Sequence, residues 1–167
     1  DEAMLYIAGC KPEITWSDVT LLPVIPDPSK ILCIGLNYQK HKIETGRPDV
    51  DYPTVFTRFP DSLVAHGQPM MKPTFSDRFD YEGEMAVIIG RGGRNITQED
   101  ALDHVGGYAC YNDGSIRDWQ QRTSQFTPGK NFPSSGGFGP YMVTTDEVGD
   151  YRQLSIQTRL NGKVMQD

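Results

Sequence analysis

The stretch Asp80-Tyr81-Glu82-Gly83-Glu84-Met85-Ala86-Val87-Ile88-Ile89-Gly90 predicts a β-strand that begins with acidic residues. Side chains alternate between the two faces of a strand, so Asp80, Glu82 and Glu84 share one face. Glu82 and Glu84 lie about 6.5–7 Å apart along such a strand, which is close enough for both to bind one cation. The opposite face is apolar and consists of Met85, Val87 and Ile89. Ala86 and Ile88 follow Glu84 on the acidic face, so both faces of the later part of the strand are apolar, as is typical of a strand buried on both sides.

Two neighbouring carboxylates on a buried strand require neutralisation. They repel each other and lose hydration unless a cation binds them or one of them stays protonated. A divalent cation that prefers oxygen ligands is the simplest solution, whereas a solvated strand face would need none. Asp113 is the candidate third ligand because it follows a predicted strand, although Asn112-Asp113-Gly114 also fits an ordinary turn.

The rest of the chain predicts a mainly β fold of the α+β class. Its 17 Gly and 12 Pro residues indicate frequent turns and short helices. Strands are predicted at residues 30–35, 81–90, 108–111 and 141–144. Short helices are predicted at residues 37–45, 97–105 and 115–125. Residues 47–80 are polar and rich in Pro, which favours loops around a β scaffold.

Both ends of the chain indicate a segment of a longer protein. The chain starts at Asp1 rather than Met, and residues 154–165 predict a β-hairpin that turns at Asn161-Gly162. The chain stops at Asp167, just after the return strand begins. We expect residues 1–29 to form a small N-terminal segment with a Pro-rich linker, and residues 30–167 to form the main domain without its C-terminal part.

Composition excludes several classes of protein. The 167 residues (18.7 kDa) are the size of one domain, and no apolar run approaches the ~20 residues that span a bilayer. A net charge of −6 disfavours nucleic-acid binding. Cys10, Cys33 and Cys110 are far apart and odd in number, which favours free thiols in a reducing compartment. No signal peptide is visible, and we expect a cytoplasmic protein.

Short motifs along the chain resemble those of a known enzyme family. They are Ile34-Gly35-Leu36-Asn37-Tyr38 with His41 and Glu44, Asp80 to Gly90, Gly107-Tyr108, Asn112-Asp113 with Ser115, Arg117-Asp118 and Gln120, Gly129-Lys130, Gly139-Pro140, and Asn161-Gly162. In this order they are similar to the catalytic domain of the fumarylacetoacetate hydrolase family. The resemblance implies a mixed β-sandwich roll with short helices, usually paired as a homodimer, and a catalytic domain at residues 30–167.

The resemblance also implies a metal site. In this family the positions of Glu82, Glu84 and Asp113 bind Mg²⁺, or alternatively Mn²⁺ or Ca²⁺. Three carboxylate ligands leave about three positions open on an octahedral ion, and a 2-oxo acid fills two of them with its carboxylate and keto oxygens. The ion then stabilises an enolate as the adjacent C–C bond breaks. Asp80 lies near this cluster but matches no ligand position.

Further site residues follow from the same resemblance. Lys130 matches a lysine that contacts the substrate or the water around the metal. Arg117 and Gln120 match positions that face the substrate, and residues three apart on a helix share a face. Tyr38, from the first motif, is assigned to substrate binding with them. An exposed surface position is the alternative interpretation for Lys130, Arg117 and Gln120.

His41 and Glu44 are the predicted catalytic pair of a hydrolytic member. They are three residues apart on a predicted helix, so their side chains can meet. A histidine has a pKa near neutrality and can activate water, while a carboxylate orients it. A solvated helix in which Glu44 pairs with Lys40 is the alternative.

The resemblance implies a divalent-metal-dependent hydrolase that cleaves a C–C bond in an acylpyruvate-like or 2,4-dioxo acid. The same site also supports decarboxylation of oxaloacetate-like acids, or isomerisation or hydration of oxo-dienoates from aromatic catabolism. His41 with Glu44 favours hydrolysis. A non-catalytic metal- or ligand-binding paralogue is an alternative of another class. It is favoured by Pro133, which stands where the family usually has Asp, and by the missing C-terminal segment.

Overall fold

The computed structural model describes residues 2–11, 13–38 and 51–167. Within these ranges the strands are β1 Ile31–Gly35, β2 Thr54–Arg58, β3 Leu63–Ala65, β4 Phe79–Asp80, β5 Gly83–Ile89, β6 Val105–Asp113, β7 Ser115–Ile116, β8 Gly136–Phe138, β9 Val143–Thr144, β10 Thr158–Leu160 and β11 Lys163–Gln166. The α-helices are α1 Glu2–Gly9, α2 Arg117–Gln120, α3 Thr127–Lys130 and α4 Thr145–Val148. Single 3₁₀ turns lie at Trp16–Asp18, Pro60–Ser62, Ala101–His104 and Tyr151–Gln153. The predicted mainly β architecture is therefore confirmed.

The central sheet has the strand order β3-β8-β6-β5, and β9 also pairs with β6. β3 runs parallel to β8, while the other pairs in this sheet are antiparallel. Its buried core is formed by Leu63, Ala109 and Phe138. Ala86 and Ile88 of β5 pack against that core, so the apolar half of the acidic strand anchors it to the sheet. Glu84 precedes them on the same face.

Two smaller antiparallel pairs flank the sheet: β1 with β2, and β4 with β7. The β4–β7 pair continues the path of β5 and β6 beyond a short break at residues 81 and 82. The backbone of Glu82 closes this break, because its carbonyl accepts a hydrogen bond from Asp113 N (2.8 Å) and its N–H donates to Asn112 Oδ1 (3.0 Å). The two chain segments therefore stay side by side up to the acidic residues.

The C-terminal hairpin is confirmed. β10 and β11 pair around Asn161 and Gly162, whose φ angles of 51° and 80° are both left-handed. A two-residue hairpin turn of this kind needs positive φ at both positions, and Asn followed by Gly meets that need with little strain. The Asn161-Gly162 motif therefore predicted the position of this hairpin turn correctly.

Several predicted elements differ from the structure. The segment 47–80 was expected to be irregular, but it contains β2, β3 and β4. The helix expected at 97–105 is only the 3₁₀ turn Ala101–His104, although the Thr97 hydroxyl does donate a hydrogen bond to Asp100 Oδ2 (2.9 Å). The helix expected at 115–125 is limited to α2, because Ser115 belongs to β7. The helix expected at 37–45 lies largely outside the described residues.

The outer face of β5 is more exposed than its sequence predicts. Val87 and Ile89 are 47% and 63% exposed, so the expectation of a strand buried on both sides is wrong for the single chain. β5 is an edge strand of the central sheet. The Pro-rich segment is also not a free linker, since Val24 and Ile25 pack against the core. The domain boundary at residue 29 stays a prediction. No helix among the described residues has the length and apolar character needed to cross a membrane.

Candidate metal centre and active site

Three carboxylates converge where β5 and β6 meet. Glu82, Glu84 and Asp113 each offer an oxygen within 4.8 Å of the others. The register explains this cluster, because Gly83 pairs with Asn112 and so places the residues on either side of each within reach. Asp113 is fully buried and the two glutamates are partly buried. The structure thus brings together the three residues that the sequence analysis selected as ligands.

The two glutamates differ in their electrostatic surroundings. Burial alone would raise the pKa of Glu82, but the Lys130 and Arg117 cations offset it and hold the pKa below its usual value. Burial raises the pKa of Glu84 to about 8, with further contributions from the Asp113 and Glu82 charges. Among the described residues, no cation lies within salt-bridge distance of Glu84. Glu84 is therefore the carboxylate of the cluster whose negative charge no described side chain balances by direct contact.

Lys130 is buried at the cluster. Its Nζ lies 2.8 Å from Glu82 Oε2 and 2.7 Å from Asp113 Oδ2, and the side chain is 1% exposed. The ammonium also lies 5.2 Å from the centre of the Phe56 ring. The alternative interpretation of Lys130 as an exposed surface lysine is therefore wrong.

Arg117, at the start of α2, is the second cation beside the carboxylate cluster. Its guanidinium contacts Asp80 Oδ2 (2.8 Å from Nη2), Glu82 Oε1, and Gln120 Oε1 (2.9 Å from Nη1). Gln120 lies three residues further along α2 and meets Arg117 as the helical spacing predicts. Asp80 thus forms an ion pair with Arg117 and is not part of the three-carboxylate cluster.

These side chains line one open cavity of about 360 Å³. Its wall includes Tyr38, whose hydroxyl accepts a hydrogen bond from Met85 N (3.1 Å) on β5. Arg117, Gln120 and Lys130 line the same cavity, with Glu82 and Glu84. The roles assigned to these residues stay predictions. His41 and Glu44, the expected catalytic pair, lie outside the described residues.

A glycine fixes the position of Lys130 relative to α2. A Cβ at Gly129 would collide with the backbone nitrogen of Gln120. Only a residue without a side chain lets α3 approach α2 this closely. The Gly129-Lys130 motif therefore has a structural reason: the glycine allows the contact and the lysine enters the cluster.

We expect Gly129→Ala to reduce turnover by about 10²-fold, because displacing Lys130 or Gln120 by about 1 Å disturbs the cavity that the family resemblance assigns to the substrate. The clash involves backbone atoms, so rotation of a side chain cannot relieve it. Steady-state kinetics would measure the loss. Gly92→Ala is the matched control, since a Cβ there meets no atom within 4 Å. Equal kcat/KM values for the two variants would contradict this account.

Arg58 is a site residue that the sequence analysis missed. It lies at the end of β2 with its side chain fully buried, and Nη1 is 2.6 Å from Asp113 Oδ1. The sequence carried a signal, because Thr54, Val55, Phe56 and Thr57 are typical strand residues. In such a strand Arg58 shares the inward face of Phe56, which is also buried.

The donor set fits a divalent cation. Carboxylate oxygens are the ligands that Mg²⁺, Mn²⁺ and Ca²⁺ prefer, and the cluster offers three of them. Glu84 is the residue that a bound cation would stabilise most, because its burial next to two other carboxylates disfavours its negative charge. A cation bound there would favour the ionised carboxylate.

Comparison with known proteins identifies the family. The fumarylacetoacetate (FAA) hydrolase C-terminal family matches residues 30–167. The chain therefore belongs to the fumarylacetoacetate hydrolase family, which is a family of enzymes. The resemblance found in the sequence motifs is confirmed.

Particular relatives are similar over most of this chain. It is 42% identical to an oxaloacetate tautomerase of Bacillus subtilis over 154 residues, covering 90% of this chain and 51% of the relative. It is 40% identical to a mitochondrial oxaloacetate tautomerase of Xenopus laevis over 153 residues, covering 90% and 48%. The chain thus spans about half the length of these curated relatives.

Solved structures share the fold. A fumarylacetoacetate hydrolase from Exiguobacterium antarcticum is 37% identical with a TM-score of 0.76, covering 87% of this chain and 52% of that chain. A putative HpcE protein from Mycobacterium smegmatis is 30% identical with a TM-score of 0.82, covering 98% and 59%. The predicted α+β sandwich roll of this family is confirmed.

Proposed function

We propose that this chain carries the active site of a metal-dependent enzyme that interconverts the keto and enol forms of oxaloacetate or a closely related 2-oxo acid. The observation that carries the proposal is the cluster of Glu82, Glu84 and Asp113 beside the cations of Arg117 and Lys130. The relatives from Bacillus subtilis and Xenopus laevis support this choice of reaction, since both are oxaloacetate tautomerases.

The protein's own cations would bind and orient the substrate. Arg117 and Lys130 both place positive charge in the cavity wall, which favours a negatively charged acid there. A dianionic acid would therefore meet two cations beside the carboxylate cluster. A divalent ion held by Glu82, Glu84 and Asp113 would supply a Lewis acid that draws charge onto the oxygens of the 2-oxo acid.

Tautomerisation moves a proton between C3 and the C2 oxygen of the acid, so the site needs a group that accepts and returns it. We assign this role to His41, oriented by Glu44, because the family resemblance implies that this pair activates water in hydrolytic members and the same base can move a substrate proton. A histidine is suited to it because its pKa lies near neutrality.

The test is the decay of enol oxaloacetate, followed by its ultraviolet absorbance with the intact protein. We expect Mg²⁺ with protein to accelerate the decay beyond Mg²⁺ alone, and EDTA to remove the difference. His41→Ala should lose the acceleration and retain metal binding, which calorimetry can measure. Decay at the rate of Mg²⁺ alone, with metal bound to the protein, would contradict the proposal and favour a non-catalytic binding protein.

Hydrolysis of an acylpyruvate is the second candidate. It is favoured by the likeness to the Exiguobacterium antarcticum fumarylacetoacetate hydrolase, at 37% identity and a TM-score of 0.76. The same protein would be offered acetylpyruvate and fumarylpyruvate with Mg²⁺ and then with EDTA. EDTA-sensitive release of pyruvate from either compound would establish hydrolysis, whereas pyruvate from oxaloacetate would establish decarboxylation.

Metal binding should release about one proton at neutral pH. Burial raises the pKa of Glu84 to about 8, so this carboxyl is mostly protonated at about pH 7 and a cation must displace its proton. The apparent affinity should rise by up to about tenfold per pH unit from about pH 6 to 8, then level off. Calorimetry in buffers of different ionisation enthalpy would count the protons. An affinity that does not change with pH would contradict this expectation.

We also propose a homodimer on the family resemblance. Val87 and Ile89, the exposed apolar residues of edge strand β5, support a surface that is covered in an assembly. Light scattering after size-exclusion chromatography of the intact protein would test the assembly. A mass that matches one chain would contradict it. The cytoplasmic location also stays a prediction.

A further inference from the structure

The buried guanidinium of Arg58 fixes the Asp113 carboxylate in one orientation. Both side chains are fully buried, and Arg58 Nη1 lies 2.6 Å from Asp113 Oδ1. The rest of the guanidinium is also held. Nη1 donates to Gly114 O (3.1 Å), Nε to Ser62 Oγ (3.2 Å) and Nη2 to Ser135 Oγ (2.7 Å). Arg58 therefore cannot turn with the carboxylate, since doing so would break its bonds to three other residues.

The two oxygens of Asp113 consequently face different surroundings. Lys130 Nζ lies 2.7 Å from Asp113 Oδ2 and 2.8 Å from Glu82 Oε2, so Oδ2 faces the carboxylate cluster. Oδ1 faces the buried network of Arg58, Ser62 and Ser135. Each oxygen thus has one buried cation beside it, but only Lys130 also pairs with Glu82 and lines the cavity. A metal ion beside Oδ2 would therefore meet a lysine whose charge Glu82 shares. A metal ion beside Oδ1 would meet a guanidinium that contacts no second carboxylate among the described residues, in a region without water to screen the repulsion.

We propose that Arg58 is a positioning residue that leaves Asp113 a single oxygen for a metal ion, and that it thereby selects a small six-coordinate cation over Ca²⁺. Ca²⁺ takes six to eight oxygens and often binds both oxygens of a carboxylate, whereas Mg²⁺ requires near-octahedral geometry. A carboxylate limited to one oxygen favours the smaller ion. This inference rests on the proposed metal site and adds which ion the site prefers and why.

The test measures metal selectivity without turnover. Mn²⁺ bound to the intact protein would be followed by electron paramagnetic resonance while Mg²⁺ or Ca²⁺ displaces it. We expect Mg²⁺ to displace Mn²⁺ from the wild type at a lower concentration than Ca²⁺ does. In Arg58→Lys and Arg58→Met the ratio of the two displacing concentrations should shift toward Ca²⁺ by about tenfold. Lysine keeps the charge but offers one ammonium, which cannot hold Asp113, Ser62 and Ser135 together.

Arg122→Met is the matched control, because Arg122 is exposed and its guanidinium lies over the Trp119 ring at 4.0 Å. Its selectivity ratio should equal that of the wild type. An unchanged ratio in the Arg58 variants, or a wild type that prefers Ca²⁺, would overturn the inference. If Arg58→Met does not fold, Arg58→Lys decides the question.

The outcome is separable from that of the proposed function. A shift in selectivity without oxaloacetate tautomerisation would support the role of Arg58 and refute the reaction. Tautomerisation with no shift in selectivity would support the reaction and refute the role of Arg58.

Discussion

Glu84→Gln should strongly reduce the proposed metal-dependent tautomerisation while leaving the metal-free protein at least as stable as the wild type. The variant loses one of three anionic ligands, and several kcal/mol of charge stabilisation correspond to a loss of about 10³-fold in kcat/KM. No described cation is in salt-bridge distance of Glu84, so its removal breaks no ion pair among the described residues. Kinetics and thermal unfolding in EDTA would measure the two effects.

The effect of Glu84→Gln on stability should depend on pH. Burial raises the pKa of Glu84 from 4.5 to about 8, so the folded protein holds a proton that the unfolded chain has lost between these values. The wild type therefore loses stability from this group as the pH rises through that window, whereas the glutamine variant does not. The Tm advantage of the variant should be absent at about pH 4 and largest above about pH 8.

Glu82→Gln is the matched control for this result. The pKa of Glu82 is lowered, because Lys130 and Arg117 offset the effect of its burial. Removing its charge leaves both cations with one partner fewer, so this variant should lose stability at neutral pH. If Glu84→Gln lowered the Tm in EDTA as much as Glu82→Gln does, this result would contradict the opposite pKa shifts assigned to the two glutamates.

The sequence predicted the acidic cluster because its geometry is local. The two-residue repeat of a strand places Glu82 and Glu84 on one face, and antiparallel pairing with the next long strand brings Asp113 beside them. Both facts follow from alternation and from the order of neighbouring strands. The spacing of Glu82 and Glu84 therefore needed no knowledge of the rest of the fold, whereas the choice of Asp113 as a ligand over an ordinary turn rested on the family resemblance.

The cations around the cluster were harder to predict. Arg58 comes from β2, 55 residues before Asp113, in a segment whose Pro and polar residues obscured a short strand. Burial of Lys130 depends on the approach of α3 to α2, which a motif of two residues does not specify. Such contacts depend on tertiary packing, and neither the periodicity of hydrophobic residues nor the positions of turn-forming residues predicts them.

The exposed side of β5 shows another limit of pattern-based prediction. Met85, Val87 and Ile89 form an apolar face whose composition is typical of a buried strand, yet Val87 and Ile89 are exposed in the single chain. Composition indicates that a surface is apolar but does not tell what covers it. The expected homodimer would account for such a face without changing the assignment of the strand.

Asp113→Asn should destabilise the metal-free protein by about 3–5 kcal/mol, because it removes the charged partner of two buried cations. Arg58 and Lys130 lie 2.6 Å and 2.7 Å from the Asp113 oxygens, and all three side chains are at most 1% exposed. A buried charge that loses its partner keeps the cost of desolvation without the compensating attraction. Denaturant unfolding in EDTA would measure the loss.

Exposure should decide how much each ion pair of the site contributes to stability. Asp80→Asn breaks the ion pair between Asp80, whose side chain is 46% exposed, and Arg117, whose side chain is 18% exposed. This change should lower the free energy of unfolding by at most about 1 kcal/mol. Combining Asp113→Asn with Arg58→Met should recover part of the lost stability, since the double variant no longer buries the unpaired guanidinium. If Asp113→Asn and Asp80→Asn gave equal unfolding midpoints, the buried pair would contribute no more than the exposed one, and Arg58 would not depend on Asp113 for its charge balance.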